Sequence, residues 1–259
     1  AEAGSRSVEL IVEIPQTDVK VKLTIIQSKY YKVGDLYVVN GEPLGLVYEI
    51  SDGGAHGKVV ALKAHRDLNL WYRTGLPYDE IHPEDPNNVG VIARSETDGQ
   101  ENMKAYKQIP DWKTHYPVAA YVSDLNDENG NPGWYLPAIK EVQAMVGWID
   151  GEVLSPDGEA GQEPSEAMKE KRKAINQLIV DNGGNEFYFY GYDVSFIIDQ
   201  TNAWEADYFN RIYTSTETDY QVHPMVFKFY LRNGWWENMH IYGDLAGRGY
   251  GEIRPFLAF

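Results

Sequence analysis

The stretch Gly133-Trp134-Tyr135-Leu136-Pro137-Ala138-Ile139-Lys140-Glu141 decides how this chain folds. It opens a helix. Pro137 is already in helical geometry and lacks the N–H that a first turn leaves unbonded, and Glu141 brings a carboxylate to the positive end of the helix axis. Val142, Met145, Val146 and Ile149 then recur at i, i+3, i+4 and i+7, one apolar stripe that must face a core. The block is read as structural, the start of a buried helix rather than a reactive centre.

Working outward, Val118, Tyr121, Val122 and Leu125 repeat the same spacing behind Pro117. A third helical segment runs from about Ser165 to Asp181 and stops at Asn182-Gly183-Gly184, where glycine supplies the left-handed conformation that ends a helix. Between the second and third helices, residues 150–163 are rich in Gly, Asp, Glu and Pro and read as a solvated loop. Strands lie on both sides of this helical centre. Tyr30 to Val39, the turn dipeptide Asn40-Gly41, Leu44 to Ile50 and Lys58 to Leu62 read as a β-meander. His223 to Arg232 alternates Met225, Phe227, Phe229 and Leu231 with polar residues, turns at Asn233-Gly234 and continues into Trp235-Trp236, and Ile253 to Phe259 closes the chain. The sum is an α+β domain over residues 29–259.

Residues 1–28 are a separate unit. Val8, Leu10, Val12 and Ile14 alternate with polar positions, as do Val19, Val21, Leu23 and Ile25, so two amphipathic strands joined by Pro15-Gln16-Thr17-Asp18 would set Glu13 opposite Lys20. Val8, Leu10, Val12, Val19, Val21 and Leu23 then form an apolar face expected to be covered, because an isolated hairpin is marginal in water.

A length of 259 residues suits one sizeable core with an appendage. No stretch approaches the roughly 18–20 apolar residues that span a bilayer, so no transmembrane segment is expected and the chain reads as soluble. The balance of 23 Lys plus Arg against 39 Asp plus Glu, a net charge of -16, argues against nucleic acid as a partner. Residue 1 is not Met, and no charged and apolar leader precedes the fold, so a trimmed mature protein is expected. There is no Cys, hence no disulfide, thiolate ligand or thiol nucleophile. The six His, at 56, 65, 82, 115, 223 and 240, lack metal-ligand spacing, so no metal or other cofactor is expected.

Taken in order, several stretches resemble one bacterial family. These are Tyr31-Lys32-Val33-Gly34-Asp35, Gly45-Leu46-Val47, His56-Gly57-Lys58-Val59-Val60-Ala61-Leu62, Asp98-Gly99-Gln100-Glu101-Asn102, residues 133–141, Tyr213-Thr214-Ser215-Thr216-Glu217 and Ile253-Arg254-Pro255-Phe256-Leu257-Ala258-Phe259. The family is the C-type-lectin-like Fibrobacter succinogenes major paralogous domain of Bacteroidetes surface proteins. The chain departs from it at Tyr213-Thr214, where the family usually reads Tyr-Trp, at Val122, where relatives often carry Cys, and in extra residues between Gly184 and Ile212. The hairpin resembles the closing strands of a carbohydrate-associated immunoglobulin-like domain.

The resemblance implies antiparallel sheets with flanking helices, export to the cell surface or beyond, and outer-membrane anchoring through a part outside this chain. It also implies adhesion or ligand recognition, by a lipoprotein or pilus-tip component, toward a glycan or extracellular protein, with other surface or pilus subunits as further partners. The family's enzymatic cousins, formylglycine-generating oxidases, depend on copper and thiols, so the absence of Cys argues against that activity. Glu84-Asp85-Pro86-Asn87 and Trp236-Glu237-Asn238 superficially resemble the calcium and sugar motifs of animal C-type lectins, but they stand in the wrong order relative to Leu136-Pro137.

Candidate binding residues come from a surplus of aromatic and acidic side chains that a core cannot absorb. Asp193, Asp199, Glu205, Asp207, Glu217 and Asp219 lie among Tyr192, Trp204, Tyr208 and Tyr213. Trp235 and Trp236, consecutive on a strand, should point to opposite faces, so Trp204, Asp207, Tyr208, one of Trp235 or Trp236, and Asn238 are expected to converge on one surface, flat rings beside acceptors for sugar hydroxyls or a peptide. Two other classes stay open: a carbohydrate-active hydrolase using paired carboxylates of the 193–219 cluster, and a structural surface-assembly subunit. Arg254 is expected to pair with a carboxylate such as Glu217.

Overall fold

The computed structural model describes residues 6–13, 20–27, 30–66, 92–129, 133–151, 165–188, 211–217, 224–228, 235–238 and 251–259. Within them the decisive stretch lies where sheet meets helices. Tyr135 and Phe256 exchange backbone hydrogen bonds at 2.8 and 2.9 Å, the Pro137 carbonyl accepts from the Ser215 N–H at 2.7 Å, and the Ile139 N–H donates to Thr216 Oγ1 at 3.1 Å. Asn126 completes the junction, its Oδ1 accepting the N–H groups of Gly133 and Trp134 at 3.1 and 2.8 Å. Leu136 and Ala138 are fully buried, as a backbone crossing between two sheets requires.

The elements, in order, are β1 (Arg6–Glu13), β2 (Lys20–Gln27), β3 (Leu36–Val39), β4 (Glu42–Ser51), β5 (His56–Ala61), α1 (Gly99–Tyr106), α2 (Trp112–His115), α3 (Pro117–Asn129), α4 (Ile139–Asp150), α5 (Glu166–Asp181), β6 (Arg211–Glu217), β7 (Pro224–Lys228), β8 (Trp235–Asn238) and β9 (Phe256–Ala258). The strands form three antiparallel sheets, β1-β2, β3-β4-β5-β9 and β6-β7-β8. The class is α+β with antiparallel sheet, as the alternation and helical spacings foretold.

The expected meander is β3-β4-β5. Its first turn is built on Asn40 and Gly41, both with positive φ (52° and 89°), the conformation that a tight hairpin turn demands. The first strand is shorter than its sequence suggests, because residues 30–35 are held off the ladder: Tyr31 donates to Gly54 and Gly34 to Val47 through their backbones. The last strand, β9, docks beside β5 and closes the sheet, and the Phe259 ring packs on Tyr31 and Tyr37 at 5.0 and 5.4 Å.

The core lies between this sheet and the helices. Leu46, Val47 and Val59 of the sheet share one buried cluster with Val118, Val122, Val142, Met145, Val146 and Ile149 of the helices, all with no exposed surface. Each such side chain is worth about 1.5–3 kcal/mol on burial. Three helices were expected from apolar spacing, and α3, α4 and α5 are those three; α5 starts at its Ser165 cap, whose Oγ accepts from the Met168 N–H. Two more, α1 and α2, are present. The α1 start is set by Asp98, whose carboxylate accepts from the Glu101 N–H at 3.0 Å, half of a capping pattern. The short α2 carries no apolar stripe of its own.

The hairpin forms in the expected register, with Glu13 opposite Lys20 and Val12 opposite Val21. Among the described residues β1 and β2 pair only with each other. Val21, on the face expected to be covered, is 44% exposed, which departs from that expectation; it stands one rung from the end of the ladder, where no described element reaches it. The other five side chains of that face lie outside the described residues.

Candidate functional site

Besides the buried Arg172–Asp150 pair that joins α5 to α4, two buried charge centres organise the described residues. The first is Glu141, placed by the first turn of α4. Its Oε2 accepts the backbone N–H of Ala138 at 2.8 Å and of Gly99 at 3.0 Å, and its Oε1 accepts the Tyr135 hydroxyl at 2.8 Å and faces Lys58 Nζ at 3.0 Å. One carboxylate therefore sits at the N-terminal ends of both α1 and α4, where both helix dipoles favour negative charge. Gly99 is required there, since a Cβ would come within 2.3 Å of the Leu136 carbonyl oxygen.

The second centre is Arg254, with Glu252 and Arg66. Arg254 Nε donates to Glu252 Oε1 at 2.7 Å, and its Nη atoms donate to the carbonyls of Ala61, Leu62, Asn185 and Glu186. Arg66 donates to Glu252 Oε2 through Nε and Nη2, both at 3.1 Å, and lies 4.0 Å over the Tyr188 ring. Arg254 therefore pairs with Glu252, two residues before it, and not with Glu217 as expected. Glu217 caps backbone instead, its Oε2 accepting from the N–H groups of Ile92 and Ala93 at 3.0 and 3.2 Å. Glu217 is buried, at 4% exposure.

The Arg254 centre also includes or adjoins the described residues that border three segments outside the description. Segment 67–91 follows Arg66, segment 189–210 follows Tyr188 and ends at Arg211, and segment 239–250 ends beside Glu252. Arg211 is tied in by its carbonyl, which accepts the Glu252 N–H at 2.8 Å. Trp204, Asp207 and Tyr208 belong to segment 189–210 and lie outside the described residues. Trp235, Trp236 and Asn238 are on β8, at the edge of the β6-β7-β8 sheet, in register with Lys228, Phe227 and Met225. Their side chains lie outside the described residues, as do Glu84 to Asn87 and the remaining acids of the 193–219 cluster.

A groove of about 330 Å³ opens elsewhere, between α1, α3 and residues 133–135. Met103 and Lys104 of α1, Lys107 just beyond it, Ser123 and Asp127 of α3, and Trp134 are among the residues that line it. No motif in the sequence marks Lys104, Lys107, Ser123 or Asp127. The signal that could have found them is the Gln100, Lys104, Lys107 spacing of one helix face, legible once Asp98 is taken as a cap. Among the described residues no group of three or more His, Asp or Glu is arranged to hold a metal ion, and none of the described helices is long and apolar enough to cross a membrane.

Burial raises the Tyr48 hydroxyl well above the ordinary tyrosine pKa, reinforced by Tyr135, Glu141 and Glu49. Burial also raises that of Tyr135, followed by the charge of Glu141 and its hydrogen bond. In the unfolded chain both would ionise near pH ~10, while the folded state keeps the protons to higher pH. The native state thus binds more protons above ~10, and stability falls as pH rises. The urea midpoint should be unaffected by these two groups between roughly pH 7 and 9, then decline by up to about 1.4 kcal/mol per pH unit for each tyrosine. A decline equally steep in Tyr48→Phe and Tyr135→Phe would assign it to other groups.

Compared with models of protein families, with curated proteins and with solved structures, the chain matches none.

Proposed function

We propose that this chain is a non-enzymatic recognition module of a bacterial surface protein, with a C-type-lectin-like fold and a glycan or extracellular protein as ligand. The observation that carries the reading is the Arg66–Glu252–Arg254 centre, a buried network among described residues that border segments 67–91, 189–210 and 239–250 in sequence. Binding residues concentrate on long connections held by a fixed scaffold. Segment 189–210 supplies Trp204, Asp207 and Tyr208, and β8 supplies Trp235, Trp236 and Asn238. The closing of β9 onto the opening meander, with helices flanking antiparallel sheets, supports the fold assignment. The buried capping role of Glu217 favours recognition over hydrolysis.

The test is an array of glycans and extracellular-matrix proteins, probed with the full chain with and without a chelator. At least one ligand class should bind, and Trp204→Ala/Tyr208→Ala or Trp235→Ala/Asn238→Ala should weaken it by roughly 30-fold, the scale of a binding hot spot. Turnover of any arrayed glycan, or binding indifferent to both double variants, would overturn the reading.

A further inference from the structure

We draw no further inference here: the strongest candidate, the apolar face of the β1–β2 hairpin on which Val21 is 44% exposed, pairs with no other described strand, and nothing in the structure shows what covers it.

Discussion

Replacing Arg254 with alanine is expected to destabilise the protein by about 3–5 kcal/mol, the scale measured when one partner of a buried ion pair is removed. The side chain is completely enclosed, and its donors serve Glu252 and the carbonyls of Ala61, Leu62, Asn185 and Glu186. Alanine would leave those oxygens buried without that donor, and would open a cavity against Phe187, whose ring lies 4.1 Å from the guanidinium carbon. Glu252 would retain Arg66, which limits the loss. Lysine at 254 keeps the charge but not the planar fork, so it should recover only part of the difference. For contrast, Lys140→Ala breaks a pair with Glu96 that is more than half exposed on each side, and should cost no more than about 1 kcal/mol. Urea denaturation of the variants would measure both, and a shift below about 1 kcal/mol for Arg254→Ala would mean that the centre does not hold the sheet as described.

How much of this was legible in the sequence depends on whether a feature is local. The α3, α4 and α5 helices, the Asn40-Gly41 turn and the β1–β2 register follow from spacing and turn chemistry within a few residues, and they are where those rules put them. Helix α1 was hidden because its inward residues Asn102 and Tyr106 are polar at their tips. Asn102 bonds Ser95 and Ser215, and the Tyr106 hydroxyl donates to the Ser215 carbonyl, so the helix docks by hydrogen bonds where a hydrophobic pattern was sought. The partner of Arg254 was misassigned for a similar reason. A carboxylate in a shared motif, Glu217, looked available, yet the acid that bonds it is Glu252, two residues before it.

The site was less legible than the fold. Surplus aromatics drew attention to Trp204, Tyr208, Trp235 and Trp236, because an excess over core demand can be counted along a chain. The groove could not be counted that way. Lys104 and Asp127 are ordinary exposed residues, and only the fold brings them to the lining of one groove. Residues 133–141 were expected to be structural, and Glu141 gives that expectation a mechanism: it bonds backbone of α1 and α4 at once, across 42 residues of sequence.

The corresponding expectation for Glu141→Ala is a loss of about 3–5 kcal/mol, with a local signature that distinguishes it from a general weakening of the core. The N–H groups of Gly99 and Ala138 would lose their acceptor, the Tyr135 hydroxyl would be left buried, and Lys58, only about a quarter exposed, would lose its counter-charge. Both helix starts would also lose the negative charge that suits them, each effect worth about 0.3–1 kcal/mol. Glutamine keeps one carbonyl oxygen but replaces the other acceptor with donors facing donors, so Glu141→Gln should fall between wild type and alanine. Amide hydrogen exchange would read the locality, because protection at Gly99 and through the first turn of α1 should drop further than protection in α5, which Glu141 does not touch. Arg172 and Asp150, joined by two 2.8 Å bonds between α5 and α4, supply the internal reference for that comparison. If α1 and α5 lose protection equally, Glu141 contributes to global stability alone; if α1 loses it first, this carboxylate is what seats α1, whose Met103 and Lys104 line the groove.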